Sequence, residues 1–200
     1  MLNPAPTDHP VHELIQQRFS PKAVLKRAVD PATLRSRLEA ARWAPSSFNE
    51  QPWAFIVATS DRPEDFERLL ACLVPGNQSW AGQAPVLMLT VAKLAFDRNG
   101  RPNRHALHDI GLASAQLALE ATGRGLAAHF MAGFDAERAR GTYDIPEGFE
   151  PVAAVAVGYP DKPEAPPGET REAGFAPRRR KPLKDFVFAR KWGESAVLAT

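Results

Sequence analysis

Short stretches with apolar residues at helical spacing alternate with short unbroken apolar runs, and proline or glycine stands at most of the joints. Val11, Leu14 and Ile15 recur at helical spacing until Ser20-Pro21 interrupts them, which predicts a first helix from Val11 to Arg18. Asp30-Pro31 reads as an N-cap followed by proline at the first helical position. Leu34, Leu38, Ala41 and Ala44 then carry one face of a second helix to about Trp43. Phe55 to Thr59 is strand-like, Glu64 to Leu73 helical, and Pro85 to Ala92 an apolar run short enough for a buried strand. Arg104 to Thr122 is apolar almost all round, with Leu107, Ile110, Leu117 and Ala121 on one side, so it is expected to be a buried central helix closed by Gly123 and Gly125. Ala127 to Met131 and Val152 to Val157 are two further strands. Helices and strands mix without a regular βαβ repeat, and no Gly-x-Gly-x-x-Gly follows a strand. The pattern therefore predicts an α+β sandwich.

Two hundred residues suffice for one good core and are too few for two full-sized domains, so a single domain over 1–200 is expected, with 161–200 an extended C-terminal excursion and tail. A hydrophobic share of 44% and a charged share of 24% argue for an ordinary globular chain rather than a disordered one. No apolar stretch reaches the roughly 20 residues of a membrane helix, and the start of the chain lacks a leader pattern, so a cytoplasmic protein with no membrane partner is expected. The one cysteine, Cys72, excludes an internal disulfide and a thiolate cluster. His105 and His108 stand at helical spacing but bring no third ligand, and His129 lies between apolar strand residues, so both sites read as ordinary histidines and no metal is expected. A net charge of +2 is too small to imply nucleic acid, although Arg178, Arg179, Arg180 and Lys181 form one dense basic run.

The polar turn Ala44-Pro45-Ser46-Ser47-Phe48-Asn49-Glu50-Gln51-Pro52-Trp53 concentrates hydrogen-bonding side chains just before a strand. Such a loop can bind a polar ring edge or a phosphate, or can be a surface turn with two caps. Arg18, Ser20 and Lys22 form a second cationic group, and the basic run a third; neither has a matching acidic run. A phosphate would satisfy both, since arginine meets its oxygens bidentately and a serine hydroxyl adds a donor.

Through Arg18-Phe19-Ser20-Pro21-Lys22, the Pro-Ser-Ser-x-Asn-x-Gln-Pro-Trp turn, Asn77, Met131-Ala132-Gly133-Phe134-Asp135 and the basic run, in that order, the sequence resembles the nitroreductase family of FMN enzymes. The resemblance covers about 14–187. It implies a mainly antiparallel central sheet flanked by helices, in an intertwined homodimer with shared FMN sites. Arg18 and Ser20, with Arg178 and Arg180 from the tail, would hold the phosphate and ribityl chain, and Lys22 would approach the pyrimidine side. Pro45, Ser46, Ser47, Asn49 and Gln51 would belong to the loop lent by the partner subunit. Asn77 would bond the ring edge, Ala132 and Gly133 would bring backbone N–H groups to the ring, and Met131 would belong to the cofactor site with them. The activity implied is a ping-pong transfer of two electrons from NADH or NADPH to a small conjugated acceptor. The flavin carries that chemistry, with Lys22 stabilising its reduced form and no side chain acting as acid or base.

Two positions depart from the family pattern. Phe19 stands where a basic residue or histidine is common, which removes at most one phosphate contact. Trp80 stands where a lysine is often found, which replaces a cation near the ring with an aromatic wall. The tail leaves two pairs open, Arg178 with Arg180 or Arg179 with Lys181, because their spacing is the same. Trp43 and Trp53 read as core aromatics, and Trp80 equally as core or site wall. Other functions that fit are a flavin-binding store or sensor without turnover, and a family member dedicated to one substrate such as an enone or a halogenated aromatic.

Overall fold

The structure, a computed structural model, describes residues 3–161 and 177–199. Its centre is strand β2 (Val86–Lys93), paired antiparallel with β1 (Trp53–Thr59) on one side and β4 (Phe149–Gly158) on the other, while β3 (Ala127–Met131) pairs antiparallel with the far edge of β4. Successive strand side chains point to opposite faces. Leu87, Leu89 and Val91 accordingly join Phe66, Leu69 and Ala139 in one core, and Val86 and Met88 join Ala41, Ala113, Leu117 and Ala121 in another. The first core is covered by α3 (Pro63–Leu70), α4 (Pro75–Ala81) and α6 (Ala136–Thr142), the second by α2 (Pro31–Arg42) and α5 (Ala106–Gly123). A strand covered on both faces has no reason to alternate polar with apolar residues, which is why β2 reads as an unbroken apolar run. The α+β sandwich with an antiparallel sheet is thus the observed fold.

Local chemistry explains the joints. The carboxylate of Asp30 accepts the Thr33 N–H at 2.8 Å while Pro31 opens α2. Where the β2–β4 register shifts at Thr90/Val91, the buried Thr90 hydroxyl accepts the N–H of Ala153 at 3.0 Å and donates to its carbonyl at 3.1 Å, so the irregularity leaves neither group unpaired.

Several expectations need correction. The first helix, α1, spans only Glu13–Gln17, and Val11 and Ile15 are exposed. The third ends at Leu70, because the chain turns where Cys72 N–H reaches back to the Leu69 carbonyl. On α5 the buried positions include Ile110, Leu117 and Ala121, but Leu107 is 53% exposed. Trp43 is 72% exposed rather than core: it caps α2 on the outer side, its indole N–H donating to Glu39 at 2.8 Å and Arg42 lying over its ring. Trp53 does pack against the core. Helices α4 and α6 were not foreseen. Most of the proposed excursion, residues 162–176, lies outside the described residues; the tail resumes at Pro177 with short turns and a bridge between Phe188 and Ser195. Among the described residues no helix is long and apolar enough to cross a membrane.

Candidate functional site

The backbone leaving α1 presents Arg18 and Ser20, with the Arg18 guanidinium 3.4 Å from the Ser20 hydroxyl. Arg178 folds onto this segment from the tail. Its guanidinium donates to the carbonyls of Asn3 (2.8 Å), Gln16 (3.2 Å) and Arg18 (2.8 Å). Two of these lie at the end of α1, where carbonyls lack a partner within the helix. Arg180 follows close enough that, after burial, its charge pushes the Arg18 guanidinium below its ordinary value. Burial and the charges of Arg18 and Arg180 do the same to Arg178. Among the described residues no ion pair joins any of the three to a carboxylate. Three guanidinium groups brought together, with no carboxylate paired to them among the described residues, have the chemistry to meet an anion with several oxygens. Phe19 lines a cleft of about 120 Å³ with Thr122, Leu126 and Ala127.

The next turn of chain connects this cluster to the other predicted residues. The carbonyl of Pro21 accepts the Nδ1–H of His129 at 3.0 Å, and the Lys22 charge is one of the influences that lower that imidazole, after burial. The His129 ring lies 4.6 Å from that of Trp80, tilted by 42°. Trp80 in turn donates its indole N–H to Asn77 Oδ1 at 3.3 Å, and Asn77 Nδ2 donates to the Gly133 carbonyl at 2.9 Å. An indole can only donate and a carbonyl can only accept, so these two bonds fix which way the Asn77 amide points. Gly133 is required here: a Cβ would lie 2.6 Å from Asn77 Nδ2 and 3.0 Å from Val74 Cγ2. Met131 is buried as the last residue of β3, and Ala132 after it is exposed. Asn77 and the 131–133 segment therefore meet on one side of the sheet, and Lys22 is near enough to His129 for its charge to act there.

The Pro45–Gln51 loop is placed elsewhere. Its Ser47 N–H donates to Asp109 at 3.0 Å, its Ser46 hydroxyl accepts the Gln51 N–H at 3.0 Å, and Gln51 Nε2 donates to the Asn49 carbonyl at 3.1 Å. Phe48 packs edge-on against Phe96 with Arg98 above its ring. Pro45, Asn49 and Gln51 are exposed. Among the described residues no hydrogen bond, ion pair or ring contact connects this loop with the first group.

Sequence reasoning missed Asp109, the link from His129 through Trp80 to Asn77, and the bracing role of Arg178. A buried acid within an otherwise apolar helix was the signal available for Asp109. Trp80 packs against the first core and donates its indole N–H to Asn77.

Residues 15–159 match the nitroreductase family, and the chain belongs to it. A solved structure described as an oxidoreductase containing FMN is 33% identical, covers 96% of this chain and 97% of its own, and superposes with a TM-score of 0.86. A Thermus thermophilus protein named NADH dehydrogenase is 30% identical over an alignment of 207 positions that covers 87% of this chain and 93% of that protein. An uncharacterized 15.4 kDa protein of Mycolicibacterium smegmatis is 39% identical over 130 residues, 65% of this chain and 86% of the relative.

Proposed function

We propose that the chain is the subunit of an FMN-dependent oxidoreductase that passes two electrons from NADH or NADPH to a small conjugated acceptor such as a nitroaromatic or a quinone. The observation that carries this reading is the convergence of Arg18, Arg178 and Arg180 with no carboxylate paired to them among the described residues. A flavin phosphate is a dianion with the oxygens that such a cluster lacks. The FMN contained in the solved relative and the name of the Thermus protein support the two halves of the reaction.

FMN, when bound, supplies the two-electron chemistry. The chain supplies placement. Arg18, Ser20 and Arg180 hold the phosphate. Arg178, already committed to three carbonyls, secures the tail that brings Arg180. Lys22 puts positive charge on the side where the reduced ring gathers electrons, which favours reduction. Asn77, fixed by Gly133 and Trp80, meets the ring edge. The Trp80 indole, held by Asn77 and His129, serves as a wall of the site beside the ring.

The Pro45–Gln51 loop contributes to the site of a second subunit in a homodimer. Support comes from its separation from the phosphate cluster within one chain and from large apolar residues left open: Trp43 and Phe48 (each 72% exposed), Trp192 (91%) and Val197 (90%). Side chains of this size are available to be covered by a second subunit. Each subunit is one domain, and the location is cytoplasmic, where reduced nicotinamides are available.

The phosphate cluster is tested by titrating the apoprotein with FMN and with riboflavin. FMN should bind at least about tenfold more tightly, and added salt should narrow the gap. Equal affinities would remove the cluster from the site.

A further inference from the structure

Asp109 is a carboxylate with 2% of its surface exposed, set in the first turn of α5. One oxygen accepts the Ser47 N–H at 3.0 Å, and the other lies 3.1 Å from Nδ1 of the largely exposed His108. A carboxylate removed from water is costly unless directed donors and a favourable field meet it. The start of α5 provides the field and the Ser47 amide the directed donor.

Beyond Ser47 the chain enters the left-handed region at three residues that are not glycine: Phe48 (φ 55°), Asn49 (φ 56°) and Gln51 (φ 53°). Asparagine takes this conformation readily; phenylalanine and glutamine do so at a cost. Strained backbone of this kind persists only where its surroundings hold it. The remaining restraints lie at the surface, where water competes: Gln51 to Ser46, the Phe48 ring against Phe96 and Arg98, and the Glu50 carboxylate on the Asp97 N–H. Among the described residues, only the bond to Asp109 ties a loop side chain or amide to a buried side chain.

We propose that Asp109 is a positioning residue for the cofactor loop: by anchoring Ser47 it holds Pro45–Gln51 in the shape that meets FMN across the dimer. It acts through the loop backbone and does not touch the cofactor. The cofactor half of this proposal rests on the shared-site reading above; the anchoring half does not.

The test uses the full-length protein with two readouts, amide exchange across 45–51 and FMN affinity by fluorescence titration. Asp109→Ala removes the acceptor, and Asp109→Asn keeps one of the same size. Ser47→Pro removes the donor instead, and Ser46, already extended at φ −146° and ψ 158°, suits the residue before a proline. Ser47→Ala keeps the N–H and controls for the lost hydroxyl. Asp109→Ala and Ser47→Pro should each speed exchange and weaken FMN binding by at least about tenfold relative to the wild type and to Ser47→Ala, while Asp109→Asn stays within about threefold on both. Where Asp109→Ala fails to fold, Ser47→Pro carries the test from the loop side. Variants that lose thermal stability while loop exchange and FMN affinity stay at wild-type values would overturn the proposal. Faster loop exchange with unchanged FMN affinity would keep the anchor and reject the loop's part in the cofactor site.

Discussion

The side-chain amide of Asn77 and the carbonyl of Gly133 are joined at 2.9 Å, and the glycine leaves the amide no spare room. A methyl group at 133 would displace Asn77 from both Gly133 and Trp80. Gly133→Ala should cost about 1–3 kcal/mol of apoprotein stability and also weaken FMN binding. In an Asn77→Ala background the cost should fall, because the nearer clash is gone and only Val74 at 3.0 Å remains. Urea denaturation of the four proteins checks this; additive effects would mean that Asn77 does not feel the methyl group.

Arg178 and Arg180 should separate cleanly. Arg178→Ala removes the donors of three backbone carbonyls and should lower apoprotein stability by about 1–3 kcal/mol. Arg180, exposed and bonded among the described residues to the carbonyl of Arg179, should be nearly neutral for stability. Arg180→Ala should instead weaken FMN binding and reduce its dependence on salt. Thermal melts with and without FMN distinguish the two; matching losses of stability would merge the roles.

Arg37 is wholly buried, and its Nε, Nη1 and Nη2 find no acceptor among the described residues. Burial, reinforced by the charge of Arg124 and opposed by Tyr159 and Glu120, holds it down to about 10. The native state therefore binds this proton less readily than the unfolded chain. The resulting penalty is complete below about pH 10 and fades toward the ordinary value of 12.5. Arg37→Met should raise stability by about 1–4 kcal/mol at neutral pH, with a smaller gain above pH 10. A destabilised variant would show that the guanidinium is paired in solution.

His129 titrates below its ordinary value, chiefly because it is buried and also because Lys22 is near, while bonds to the carbonyls of Pro21 and Ser20 act the other way. Its native state resists a proton that the unfolded chain accepts at about 6.5. Above that pH it costs nothing; as the pH falls below it, stability is lost. His129→Gln should flatten this part of the denaturation curve, and parallel curves for the two proteins would remove His129 as the source.

Much of the sheet was legible because its central strand is apolar on both sides, and α2 because Asp30-Pro31 caps it in a way sequence can show. Helices α4 and α6 were not, since seven residues beginning Pro-Gly-Asn, or carrying two arginines and a glycine, have too little apolar periodicity to stand out. Asp135 capping α6 through the Arg138 N–H was the one local sign. Of the site, the motifs could be located in sequence but not their contacts. Arg178 reads as one more cation in a basic run until the chain folds it onto the end of α1. Asp109 reads as a helix polar residue until Ser47, sixty-two positions away, is brought to it.

The most direct test of the central claim is to load the purified protein with FMN and add NADH or NADPH without oxygen while following the flavin's visible absorption. The band should bleach within the mixing time or on the scale of turnover, and return when a quinone or nitroaromatic is added. A protein that takes up no FMN, or one whose bound FMN neither nicotinamide reduces, would contradict the oxidoreductase reading.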